Sequence, residues 1–178
     1  MRILVCYAST EGQTRKICRF CCDQLIAQGH SVEMIPAGDA EDVETTGFDA
    51  ALLAGSVHIG KIQPELAAFA QAHGATLNAM PSLYLQVSLA AAGQEPDEMA
   101  ELDQIATDFC AGADWTPTAV HQIAGAFRFT QYDFFKSWAM RYIAGRYGQQ
   151  VKPGEDKEYT DWQALADLMR GWPADLGS

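Results

Sequence analysis

Hydrophobic positions in this chain fall into short unbroken runs, separated by stretches where they recur every three or four residues. Arg2 to Tyr7 is a run of strand length, and the continuity of Ile3, Leu4 and Val5 predicts burial on both faces. From Gln13 to Gln28 the residues Ile17, Cys18, Cys21, Cys22, Leu25 and Ile26 make a helical stripe, and Gly29 sits where a helix stop belongs. Ser31 to Pro36 is a second, shorter strand, followed by the acidic loop AGDAEDVETTG. Phe48 to Gly55 reads as a central third strand, Pro81 to Ser88 as the fourth and Thr118 to Ala124 as the fifth. Between them lie a helix with the stripe Ile62, Leu66, Phe69 and Ala70, and another over Pro96 to Cys110 with Met99, Leu102, Ile105, Ala106 and Phe109 inward. A final helix, Thr160 to Trp172, puts Trp162, Leu165, Ala166, Leu168 and Met169 on one side, with Thr160 or Asp161 as its cap.

Strand alternating with helix predicts parallel pairing through right-handed crossovers. The expected fold is α/β: a three-layer, doubly wound, five-stranded parallel sheet of order 2-1-3-4-5, with residues 1–178 as a single domain. That order puts a ligand crevice beyond the strands' C-terminal ends, at the switch between strands 1 and 3. Strands 1, 3 and 4 each run into a turn of small residues: Ser9-Thr10-Glu11-Gly12-Gln13-Thr14, Ser56-Val57-His58-Ile59-Gly60-Lys61, and Ser88-Leu89-Ala90-Ala91-Ala92-Gly93. The first has the chemistry of an anion site. Ser9, Thr10 and Thr14 supply hydroxyls, Gly12 permits close backbone approach, and the first turn of the following helix presents free amides. With no Lys or Arg in the loop, an anion there is held by amides, hydroxyls and the helix dipole. Neither GxGxxG nor GxxxxGK[ST] is present, which argues against a dinucleotide or nucleoside triphosphate.

Charge changes the picture of partners. A net charge of −11 over 178 residues argues against nucleic acid. Yet Ala126 to Lys152 holds Arg128, Lys136, Arg141, Arg146 and Lys152 against the single acid Asp133, and no Lys or Arg lies between Lys61 and Arg128. One basic face on an acidic body is expected. Five cysteines, an odd number, fit a reduced compartment without a disulfide framework. Met1 opens a strand pattern, and no basic start precedes a signal-type apolar stretch, so the expected location is cytoplasmic. Phe127 to Gln150 interleaves eight aromatics with Arg128, Lys136, Arg141 and Arg146, too short and charged to span a bilayer. Two readings stand: an extra helix packed on the core with its cations outward, or an amphipathic helix that lies on a membrane or roofs a hydrophobic ligand.

Ser9 to Thr14 resembles the phosphate loop of the flavodoxin superfamily, which holds the phosphate of flavin mononucleotide (FMN). The likeness extends over nearly the whole chain. STEGQTRKI, GSVHIGKIQPELAAFAQAH, NAMPSLYLQVSLAA, IAGAFRFTQYDFFKSWAMRYIAG and EYTDW resemble the menaquinone-dependent protoporphyrinogen IX dehydrogenases, flavodoxin-like FMN enzymes of haem synthesis. The last two are the most specific, because simple flavodoxins do not normally carry them. The resemblance implies a flavodoxin-like fold with an extra aromatic and basic helical segment between strand 5 and the last helix. It also implies FMN as cofactor, oxidation of protoporphyrinogen IX to protoporphyrin IX, electrons passed to a membrane quinone, and peripheral contact with the membrane through 127–150. By the same resemblance Ser9, Thr10, Glu11, Gly12, Gln13 and Thr14 hold the FMN phosphate. Ser56, Val57, His58, Ile59, Gly60 and Lys61, with Ser88, Leu89, Ala90 and Ala91, flank the flavin ring and donate backbone hydrogen bonds. Arg128 and the aromatic segment face the tetrapyrrole or the quinone, a guanidinium being well shaped for a propionate.

The chain departs from that family after the third loop. Gly93 to Asp108 carries Glu95, Asp97, Glu98, Glu101, Asp103 and Asp108 with no base, where the family pattern is basic. Neither ring-flanking loop offers the Trp or Tyr that many flavodoxins stack on the ring, which leaves stacking to His58, Ile59 or a residue from Phe127 onward. His58, the one histidine in a site loop, is a candidate proton handler or a locally bonded loop residue. Cys18, Cys21 and Cys22 lack a second ligand cluster, so packing is the expectation and no metal site is read. Two other functions compete: a non-enzymatic flavodoxin that docks on basic partners, and an NAD(P)H-quinone reductase of the same fold. The aromatic, basic segment separates the enzyme from the carrier, which has no need of it.

Overall fold

The apolar runs form a parallel sheet because both of its faces are covered. The computed structural model describes residues 1–127 and 157–172. Its elements are β1 (Arg2–Ala8), α1 (Gln13–Ala27), β2 (Ser31–Pro36), β3 (Ala50–Ser56), α2 (Pro64–Asn78), β4 (Ser82–Ser88), α3 (Pro96–Gly112), β5 (Ala119–Ala124), β6 (Ala126–Phe127), β7 (Lys157–Glu158) and α4 (Trp162–Gly171). The five long strands pair in parallel in the expected order 2-1-3-4-5, and β6 and β7 form a separate antiparallel pair. The predicted aromatic helical segment falls in residues outside those described, as does Arg128.

Alternation along β1 divides the core in two. Ile3, Val5 and Tyr7 meet the cysteine and leucine stripe of α1, with Leu165 and Met169 of α4, while Leu4, Cys6 and Ala8 meet Leu66, Phe69 and Ala70 of α2 and Ala106 of α3. Each sheet face thus carries two helices, the layering that parallel crossovers of one hand produce. Gln86 is fully buried in β4 because all its valences are used: it donates to Leu102 O at 2.7 Å and to Gln122 Oε1 at 3.0 Å, and accepts from Tyr84 Oη at 3.3 Å.

Several sequence expectations shift by a residue or a face. Ile26 is 54% exposed, although it continues the series Cys18, Cys22. Each step of four residues turns a helix about 40° past a full circle, so the third member has rotated off the core. In α3 only Leu102 and Ala106 are buried, with Met99 and Ile105 half-buried, while Phe109 packs its ring against Tyr84 and Trp115. Phe48 is buried ahead of β3 and not within it, beneath the Arg2 guanidinium at 4.4 Å. The acidic stretch after the third loop is the body of α3 itself. Glu95, Asp97, Glu101, Asp103 and Asp108 are exposed along it, with Leu102 and Ala106 turned to the sheet.

Candidate functional site

Strand register brings the three loops to one edge. Ala8 pairs with Gly55, Ser56 with Val87, and Ser88 with Ala124, so β1, β3, β4 and β5 end side by side. The ladder runs one step further through Val57 N to Val87 O at 2.8 Å and Gly125 N to Ser88 O at 2.9 Å. Residues 9–14, 56–61 and 88–93 therefore open onto the same rim.

In the first loop Ser9 Oγ accepts from Gly12 N at 3.0 Å, and Gly12 O accepts from Lys16 N at 3.0 Å. Gly12 has φ 87°, left-handed, and open space where a Cβ would stand; glycine is needed there for conformation and not for room. No side chain caps α1, and no acidic residue lies in its first turn. The opening amides of a 15-residue helix thus face the rim with the positive end of its dipole. Thr14 is buried and Thr10 exposed. Lys16 of α1 is turned to Glu158 at 2.6 Å. The donors that this loop offers an anion are backbone amides and hydroxyls.

The second loop is largely self-satisfied. His58 N donates to Lys61 O at 2.8 Å and Lys61 N to His58 O at 3.1 Å, closing a two-residue turn whose tip residues Ile59 and Gly60 have φ 49° and 69°. That is a primed hairpin turn, which normally takes Asn or Gly. Here a β-branched residue occupies it, 89% exposed. Of this loop's amides, those of Ile59 and Gly60 are the ones without a bond among the described residues. In the third loop Ser88 Oγ accepts from Ala91 N at 3.1 Å, while Ala92 N and Gly93 N donate to Leu89 O and Ala90 O. The amides of Leu89 and Ala90 remain.

Residues that the sequence reading missed hold this rim together. Gln63, just ahead of α2, accepts from Ser56 N at 3.1 Å, donates to Ser56 Oγ, and donates to Thr10 Oγ1 at 3.4 Å. Ser56 is thereby occupied by Gln63. Gln13 turns its side chain away from the rim, donating to Glu158 Oε2 and Thr160 Oγ1, each at 3.0 Å. No local pattern in the chain marks Gln63. Glu158 and Thr160 lie in EYTDW, read from sequence as a helix cap at Thr160 or Asp161 but with no role for Glu158; the cap is Asp161.

Burial pulls the Glu158 carboxyl upward in pKa, yet hydrogen bonds from Lys16, Trp162 and Gln13 outweigh it and hold the group below its ordinary value. Cys18, Cys21 and Cys22 lie on the inner face of α1, where burial raises all three thiols. Among the described residues no group of three or more His, Cys, Asp or Glu is placed to hold a metal ion.

An FMN-type ligand fits this donor set. The uncapped α1 terminus with Ser9, Thr10 and Thr14 suits a dianionic phosphate without a counter-cation, and the tip amides of the second and third loops suit the carbonyl and ring-nitrogen edge of a flavin. Gln13 Oε1 is buried behind the loop and without a partner among the described residues.

A family model described as Flavodoxin domain matches residues 4–151. Protoporphyrinogen IX dehydrogenase [quinone] of Escherichia coli strain K12 is 25% identical over 171 residues, covering 96% of this chain and 93% of that protein. The protein of the same name from E. coli O157:H7 gives the same figures. Among solved structures, a short-chain flavodoxin associated with a bacterial microcompartment aligns over 99% of both chains with TM-score 0.59 and 13% identity. The apo form of an NADH:FMN oxidoreductase aligns over 99% of this chain and 90% of that one, also with TM-score 0.59 and 13% identity.

Proposed function

We propose that this chain, which belongs to the flavodoxin domain family and is an FMN-dependent oxidoreductase, removes hydrogen from protoporphyrinogen IX and passes the electrons to a membrane quinone. The observation that carries the reading is the root of the aromatic, basic segment. β6 begins two residues after the end of β5 and pairs with β7, so Phe127 and Lys157, which bracket that segment, stand side by side close to the end of β5. A pure electron carrier has no use for such a segment there. The near end-to-end match to relatives named for this reaction supports it further.

FMN supplies the redox chemistry, accepting hydrogen from the substrate and releasing electrons to the acceptor. The chain's own residues bind and place. Ser9, Thr10, Gly12, Gln13 and Thr14 hold the phosphate through hydroxyls and amides. Ile59, Gly60, Leu89 and Ala90 offer backbone donors to the ring edge, and Ile59 presents an apolar surface to it. Arg128 pairs a propionate of the tetrapyrrole, and the aromatics of 127–150 cover its macrocycle and touch the membrane that carries the quinone. Among the described residues no helix is long and apolar enough to cross a membrane. Asp97, Glu101 and Asp108 of α3 are exposed, which leaves the basic segment to meet the anionic substrate.

The test is anaerobic. FMN-loaded protein mixed with protoporphyrinogen IX is expected to bleach at the flavin band faster than the spontaneous control, then regain colour on addition of a menaquinone analogue as porphyrin fluorescence rises. A flavin that stays oxidised with this substrate, yet is reduced by a flavodoxin reductase, would replace the enzyme with a carrier whose acidic α3 surface docks on a basic partner. Arg128→Ala is expected to lower porphyrinogen turnover while FMN affinity holds.

A further inference from the structure

The stretch Glu158 to Trp162 closes a clasp on the phosphate loop. Thr160 is buried and donates its proton to Ala124 O at 2.7 Å, leaving its oxygen to accept from Gln13 Nε2 at 3.0 Å. Glu158 Oε2 accepts from Gln13 Nε2 at 3.0 Å and Lys16 Nζ at 2.6 Å, and Glu158 Oε1 from Trp162 Nε1 at 2.8 Å. Tyr159 N donates to Gly125 O at 3.0 Å, which fixes the stretch to the end of β5. Trp162 stacks at 5.0 Å on Phe20 of α1, and Asp161 caps α4 by accepting from Ala164 N at 2.9 Å. Because a carboxylate only accepts and the Thr160 proton is committed, the Gln13 amide has one permitted orientation, nitrogen toward the clasp.

Gln13 is the first residue of α1 and follows Gly12, which no side chain of the helix end restrains except Ser9. The direction of the opening amides is therefore set from behind, through the Gln13 side chain. We propose that Glu158 and Thr160 are positioning residues that act through Gln13 on the phosphate loop and so set the preference of this chain for FMN over riboflavin. The inference rests on the FMN reading above. A loop that binds phosphate by amide direction, with Lys16 turned away to Glu158, loses that preference when the first turn shifts. The ring-flanking loops hang from β3 and β4, and the first of them is tied through Gln63 to Thr10 at 3.4 Å, ahead of the helix turn that Gln13 opens.

The experiment measures dissociation constants of FMN and riboflavin by flavin fluorescence for the whole chain and for Thr160→Val, Glu158→Ala and Glu158→Gln. Thr160→Val and Glu158→Ala are expected to weaken FMN roughly tenfold, about 1.4 kcal/mol, with riboflavin held within about twofold. Glu158→Gln, which keeps an accepting oxygen, is expected to recover most of the FMN affinity. Equal losses for both flavins, or no loss for either, would overturn the proposal in favour of a general packing role. If Thr160→Val fails to fold, the two Glu158 variants decide. Wild-type protein that binds neither flavin would instead remove the cofactor reading itself, an outcome visible before any variant is made.

Discussion

Gln63 Nε2 lies 3.4 Å from Thr10 Oγ1 while its Oε1 accepts from Ser56 N at 3.1 Å, so one side chain spans the phosphate loop and the first ring-flanking loop. FMN has to engage both loops at once, whereas inorganic phosphate and riboflavin each engage one. Replacing Gln63 with Met removes the bridge and keeps the bulk beside Leu66 and Gly55. FMN affinity is expected to drop about three- to tenfold, since the two half-sites lose their fixed spacing. Phosphate and riboflavin affinities, measured separately by calorimetry, are expected to hold; a parallel fall in either would mean that Gln63 supports only its own loop.

Ile59 stands in the left-handed region, φ 49°, at a hairpin tip that suits Asn or Gly. Holding a β-branched residue there costs on the order of 1 kcal/mol. Ile59→Asn is expected to raise unfolding free energy by about that amount in urea titration, and to lower turnover with an apolar quinone more than with a small soluble acceptor. Unchanged turnover would leave the strain without a purpose.

Gly74 looks from sequence like a weak point in a helix, where alanine normally gains about 1 kcal/mol. In the fold its face meets the chain after α3. A Cβ there would stand 2.5 Å from Ala113 O and 3.3 Å from Asp114 O, both backbone. Gly74→Ala is therefore expected to lower stability by about 1 to 3 kcal/mol, read as a lower urea midpoint at constant slope.

Burial holds the His73 and His121 imidazoles below their ordinary 6.5. The fold favours the neutral ring, so the unfolded chain binds more protons as acid is added. This contribution is fully present above about pH 6.5 and is lost as pH falls through the depressed values. Melting temperature is expected to decline below pH 6.5, and the double variant His73→Gln, His121→Gln is expected to flatten that part of the curve. A curve identical to wild type would mean that neither histidine drives it.

The sheet order was legible because each strand is a short apolar run and each helix a stripe, patterns that depend only on local period. The loop with anion-site chemistry could be picked out for the same reason: Ser9, Gly12 and Thr14 fall within six consecutive residues. Gln63 and Glu158 were not, because their partners Thr10 and Gln13 lie 53 and 145 residues away and only folding brings them together. Ile26 went astray by the drift of a helix, whereas the helix over Pro96 to Cys110 was legible and runs two residues further, to Gly112.

The cysteines carry one more consequence. Burial pushes Cys6 up to about 12 and Cys22 and Cys110 up to about 11, with Cys18 and Cys21 raised as well. Peroxide attacks the thiolate, and at neutral pH almost none of these sulfurs is in that form. Reduced flavin exposed to oxygen yields peroxide within ångströms of its own protein. Burial thus holds the five free thiols of the chain in the protonated form, which peroxide attacks slowly.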